Sequence, residues 1–95
     1  MAMLNSGKDT PKQFTVLNIP YSSFTYDNTN KFFQATMPSY TGSVVGFFVR
    51  PTNGNAVLGA YLTSQNKVNI MGIIPTTGNP VNGDYQFVCN ALIAN

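Results

Sequence analysis

The strongest constraint on this chain is a pattern it lacks. No stretch repeats the i, i+3, i+4 spacing of an amphipathic helix over three turns. Its β-branched and aromatic residues gather instead in short runs, regularly spaced and separated by turn signals. The runs are QFTVLNI (13–19), KFFQATM (31–37), VVGFFVR (44–50), AVLGAYLT (56–63), KVNIMGI (67–73) and DYQFVCNALI (84–93), with SFTY (23–26) as a candidate seventh. They predict an all-β domain over 13–95, a small antiparallel β-barrel or sandwich of six to seven strands. A chain of 95 residues holds a single core, because at this size only about 60–65% of the unfolded surface is buried on folding. Residues 1–12 are polar and unpatterned, and read as a linker or a remnant of the cut from a larger protein.

Turn chemistry orders these runs. The Asn53-Gly54 pair in PTNGN offers the positive φ angles of a two-residue hairpin turn and predicts a hairpin between the third and fourth runs. SQNK (64–67) predicts a second hairpin, and Asn82-Gly83 a third turn that delivers the chain into its last strand. In that strand Tyr85, Phe87, Cys89, Ala91 and Ile93 share one face, yet Val88 and Leu92 interrupt the polar residues of the other. VVGFFVR is likewise apolar on both faces, with Val45, Phe47 and Val49 alternating with Val44, Gly46 and Phe48. Two strands without a polar face fit either burial between two sheets of one monomer or contact with a neighbouring subunit. The second arrangement would cover apolar area that one small chain leaves exposed, and it predicts a homo-oligomer.

The side-chain inventory removes most chemistry. There is no His, no Glu and no Trp, and the acids are Asp9, Asp27 and Asp84. A Ser or Cys nucleophile then has no imidazole to activate it, paired carboxylates are scarce, and metal sites lack their usual donors. DNTN (27–30) falls far short of a calcium loop and reads as a polar turn. The expectation is a protein that is not an enzyme and carries no cofactor or metal. Cys89 lies in an alternating strand and reads as a small buried apolar residue. The five cations, Lys8, Lys12, Lys31, Arg50 and Lys67, are scattered, without the dense positive footprint that nucleic acid requires. No apolar run approaches the roughly 18 residues of a membrane span, and no signal-peptide pattern opens the chain, so a soluble domain with no membrane partner is expected.

Binding by polar loops and tyrosines remains. With charged residues at only 8%, the surface must draw on 12 Asn, 10 Thr and 6 Ser. Amides and hydroxyls beside a flat ring suit uncharged, hydroxyl-rich ligands such as sugars. The same residues are also the default turn formers.

From AYLT through KVNIMGIIPTTGNPVNGDY the order of features resembles the head domain of phage receptor-binding proteins, the trimeric tail-tip heads of siphophages that infect lactic acid bacteria. The matching pieces are Pro75-Thr76, Thr77-Gly78-Asn79-Pro80 and Gly83-Asp84-Tyr85, over about 35 residues, with QATMPSYTGSVVGFFV upstream in looser agreement. The resemblance implies an extracellular virion domain at the phage tail tip that assembles as a homotrimer, contacts other phage tail proteins and binds bacterial cell-wall polysaccharide. The family's saccharide-binding His, Asp, Trp and Arg would fall near Tyr61, Thr63, Met71 and Val81, and none is matched in type. A pocket kept with other residues would use Tyr61 as ring platform and Thr63, Asn69 and Asn82 as hydrogen-bonding groups. Arg50 either contacts a cell-wall phosphate or ends a strand before Pro51. The alternative function is a structural trimerisation or decoration module of a phage tail or capsid, with no ligand.

Overall fold

The structure, a computed structural model, describes residues 13–95; the linker expected at 1–12 lies outside the described residues. Seven strands form: β1 (Phe14–Ile19), β2 (Thr25–Asp27), β3 (Phe32–Thr36), β4 (Ser43–Pro51), β5 (Val57–Leu62), β6 (Lys67–Ile73) and β7 (Phe87–Ala94). The seventh run expected from SFTY is β2, displaced toward Asp27 because Tyr21–Ser23 wind into a 3-10 turn. All pairings are antiparallel, in a three-stranded sheet I of order β1-β7-β4 and a four-stranded sheet II of order β2-β3-β6-β5. Of the two architectures expected, the chain adopts two packed sheets and not a closed barrel.

Two connections join neighbours within a sheet, and the rest cross between sheets. The β5–β6 hairpin forms as expected over Ser64–Asn66, with Asn66 at φ 62° and Thr63 N–H donating to Lys67 C=O at 2.8 Å. The hairpin expected at Asn53-Gly54 does not form, because β4 pairs with β7 in sheet I while β5 pairs with β6 in sheet II. Neither residue adopts the left-handed φ that such a turn needs. The Asn53 side chain instead bridges to the chain ahead of β7. Its Nδ2 donates to Asp84 C=O at 3.0 Å, and Gln86 N–H donates to its Oδ1 at 2.7 Å. One amide therefore ties the β4–β5 crossing to the segment entering β7. Gly54 is small for packing, since a Cβ there would come within 3.0 Å of the Tyr85 ring.

The core lies between the sheets. Phe87, Cys89, Ala91 and Ile93 project inward from β7, the central strand of sheet I, against Phe33, Ala35, Val68 and Ile70 of sheet II. Phe33 and Phe87 meet at 5.0 Å between ring centroids, and Tyr21, Phe24 and Tyr26 pack around them at 4.8–6.2 Å. Such pairs add about 0.5–1.5 kcal/mol each beyond the area they bury. A β-bulge between Val44 and Gly46 shifts the face of β4. Simple alternation groups Val45 with Phe47 and Val49, whereas the bulge packs Val44 with them against the core and leaves Val45 exposed.

Candidate functional site

Residues directly opposite one another in antiparallel strands share a face, so register alone builds the outer surface of sheet II. Thr25 stands opposite Gln34, Gln34 opposite Asn69, and Asn69 opposite Tyr61. Four polar side chains thus form one row across all four strands, about 14 Å long at the usual strand spacing. Hydrogen bonds link three of its members: Gln34 Nε2 donates to Asn69 Oδ1 at 2.8 Å, and Asn69 Nδ2 donates to the Tyr61 hydroxyl at 3.0 Å. Asn69 is only 4% exposed and is the buried polar residue among the described residues, so satisfying both ends of its amide removes a desolvation penalty. Those bonds also orient the partners. The Tyr61 ring remains 47% exposed, and Gln34 keeps its Oε1 as an acceptor.

The row lies between two unlike margins. On one side Lys67 stands opposite Thr36 and donates to its Oγ1 at 3.0 Å. On the other, Met71 stands opposite Gly59, and Ile73 opposite Val57. A shallow groove of about 500 Å3 runs over the β2–β3 half of the face, lined by Ser23, Thr25, Phe32, Gln34, Thr36 and Lys67 among others. A second hollow of about 530 Å3 lies beside Met71, Ile73 and Pro80. Gly59 makes the sheet surface low next to Tyr61, and a Cβ there would meet nothing within 4 Å. Hydroxyls, a primary amide, one ammonium group and a ring can donate to, accept from and cover a polyol, but they supply no acid–base pair.

Tyr61 and Asn69 are therefore brought together, as their places across the β5–β6 hairpin require. Thr63 lies at the hairpin end of the same sheet, where its Oγ1 accepts from Gln65 N–H at 3.2 Å and Lys67 N–H at 3.1 Å and so stabilises the turn. Asn82 is beyond the opposite end of β6, after the Ile73–Pro80 bridge, and its Oδ1 accepts from Asp84 N–H at 2.9 Å. Arg50 stands opposite Val88 on the outer face of sheet I and joins none of the others. Val81 is fully buried. Gln34 and Thr25 are the members that sequence reasoning misses, since only the β2-β3-β6 strand order brings them beside Asn69.

The loop after β6 is held mainly by its own backbone. Gly78, at φ 75°, donates to Ile74 C=O at 2.7 Å, Asn79 C=O accepts from Ile74 N–H at 2.8 Å, and Val81 N–H reaches back to Gly72 C=O at 3.0 Å. The Tyr26 hydroxyl adds a clamp, donating to Val81 C=O at 2.8 Å. DNTN behaves as a turn, in which the Asp27 carboxylate accepts from Thr29 N–H and from the backbone and side chain of Asn30. The Asn30 bonds, backbone first, hold the Asp27 carboxyl below its ordinary range. Among the described residues no cluster of His, Cys, Asp or Glu could hold a metal. No protein-family model, curated protein or solved structure matches the chain.

Proposed function

We propose that this domain is the host-recognition head of a phage tail, acting without catalysis and gripping cell-surface saccharide of a Gram-positive bacterium. The observation that carries the reading is the row Thr25–Gln34–Asn69–Tyr61, hydrogen-bonded from Gln34 through Asn69 to Tyr61, beside an open groove. A buried amide that fixes an exposed ring and a half-buried amide gives preorganised recognition, so less side-chain freedom is lost when a sugar docks. A sugar ring would lie on Tyr61 above the low floor at Gly59, and its hydroxyls would meet Gln34, Thr25 and Thr36. Thr63 and Asn82 serve this site as turn residues, and Arg50 lies outside it. The domain would work as a homotrimer at the tail tip among other tail proteins. A site of about millimolar strength, near 4 kcal/mol, becomes firm adhesion when many copies engage one cell wall.

The structural alternative, a trimerisation or decoration module without ligand, has one observation in its favour. Sheet I leaves Phe14, Val16, Val45 and Phe48 more than half exposed, which suits assembly and says nothing of sugar. Retention of labelled protein on purified walls of lactic acid bacteria separates the two. The saccharide reading expects retention that Tyr61→Ala and Gln34→Ala abolish and Arg50→Ala leaves intact. Absence of retention across a panel of walls, or retention indifferent to both row substitutions, would contradict it.

A further inference from the structure

We propose that Asn82 is a self-modification site, converting to aspartate and isoaspartate through attack by its own neighbour Gly83, while the fold protects the other Asn-Gly pair, Asn53-Gly54. The step is a ring closure. The Gly83 backbone nitrogen loses its proton and bonds to Asn82 Cγ, the Cγ–Nδ2 bond breaks, and Nδ2 leaves with a proton as ammonia. Water then opens the cyclic imide at either carbonyl, giving aspartate or isoaspartate. Glycine as the second residue favours closure, because no Cβ shields the nitrogen and the backbone has its widest choice of angles. Sequence therefore makes the two pairs equal candidates. The surroundings of each amide decide between them.

The Asn82 side chain is folded back over the backbone that attacks it. Its Oδ1 accepts from Asp84 N–H at 2.9 Å, which holds the side-chain carbonyl against the Gly83–Asp84 peptide. That oxygen takes up negative charge when the Gly83 nitrogen adds to Cγ, so the same N–H steadies the transition state. Among the described residues, neither Asn82 Nδ2, the leaving group, nor the Gly83 N–H has a hydrogen-bond partner. Asn82 is exposed, so water reaches the imide and ammonia departs freely. The Asn53 amide is committed elsewhere. Both its ends are spent on a segment more than thirty residues away, Nδ2 on Asp84 C=O and Oδ1 on Gln86 N–H. Bringing its Cγ to the Gly54 nitrogen breaks both bonds, which slows closure about tenfold or more. Isoaspartate also adds a main-chain carbon next to Val81, a buried residue pinned by its N–H to Gly72 C=O at 3.0 Å and by the Tyr26 hydroxyl at 2.8 Å.

Ageing the whole chain at mildly alkaline pH, followed by peptide mapping with mass spectrometry, tests the assignment. In the folded chain residue 82 should convert at least about tenfold faster than residue 53, and in urea the two should convert at comparable rates. Each conversion takes one unit from the +2 net charge, so an acidic form accumulates on ion exchange, and Asn82→Ser should abolish its early appearance. Residue 53 keeping pace with residue 82 in the folded chain overturns the proposal. So does a folded chain whose residue 82 stays intact over the time in which the unfolded chain converts. A preference for residue 82 that persists undiminished in urea would trace the selectivity to sequence and remove the part assigned to the fold.

Discussion

Deleting one exposed hydroxyl, by Tyr61→Phe, should destabilise this domain measurably. A tyrosine hydroxyl on a half-exposed strand is ordinarily expendable, because water replaces whatever it bonded. Here the partner is Asn69 Nδ2, on a side chain 4% exposed, so the loss strands a buried donor. The cost of such an orphan is about 1–3 kcal/mol, and the lower half of that range applies because the donor lies just beneath the surface. For a domain of this size 1 kcal/mol moves Tm by about 4–8 °C, so Tyr61→Phe should lower Tm by roughly 4–16 °C. Asn69→Val removes the donor itself and leaves Gln34 and Tyr61, both partly exposed, free to bond water. Once Asn69 is Val, Tyr61→Phe has no donor left to strand. The double variant should therefore be no less stable than Asn69→Val alone, giving a coupling of about 1 kcal/mol in a urea-melt cycle. If Tyr61→Phe alone falls within about 0.3 kcal/mol of wild type, the hydroxyl does not satisfy the amide and the row is not a preorganised unit.

Other consequences follow from single contacts. Asn53→Ala should cost about 1–2 kcal/mol in urea unfolding, for the two bonds that join the β4–β5 crossing to Asp84 and Gln86, while Asn53→Asp retains only the acceptor half. Gly72→Ala should be strongly destabilising, because its Cβ would land on the Val57 carbonyl and the Leu58 side chain; Gly59→Ala, in open space, should stabilise by about 0.5–1 kcal/mol while weakening wall retention. Burial raises the Cys89 thiol from 9.0 to about 11. Its contribution is therefore complete below about pH 9, where the unfolded thiol is also protonated, and is lost as pH rises toward 11, by about 2–3 kcal/mol in all. Cys89→Ala should flatten that part of the stability–pH profile.

Much of the fold is legible in the chain because strand formation is encoded locally. The runs at 13–19, 31–37, 44–50, 56–63, 67–73 and 84–93 each contain an observed strand, apart from the one-residue extensions of β4 and β7. What is not legible is which strand lies beside which, and it is there that the Asn53-Gly54 expectation fails. An Asn-Gly pair signals a turn, but whether the next strand pairs or crosses to the other sheet depends on β7, more than thirty residues downstream. The bulge at Val44–Gly46 is hidden for a related reason, since every residue there is apolar or glycine and either register looks acceptable. For the site, SQNK places Tyr61 and Asn69 on neighbouring strands but leaves their register open, and the pairing of β5 with β6 sets them opposite each other. Gln34 is not placed even that far, as it meets Asn69 only through the non-local β3–β6 pairing. Asn82 and Thr63 show the limit of composition: both are the polar residues a sugar site uses, and both spend their side-chain oxygens on turns.

The central claim is that the outer face of sheet II receives a saccharide along the Thr25–Gln34–Asn69–Tyr61 row. Titrating isotope-labelled protein with oligosaccharides released from lactic-acid-bacterial walls, and following each amide resonance by NMR, tests it most directly. The account predicts saturable shifts centred on residues 25, 34, 36, 59, 61 and 69, with Arg50 and the 75–84 loop unmoved. Shifts centred on that loop or on sheet I, or none at saturating sugar, would contradict it.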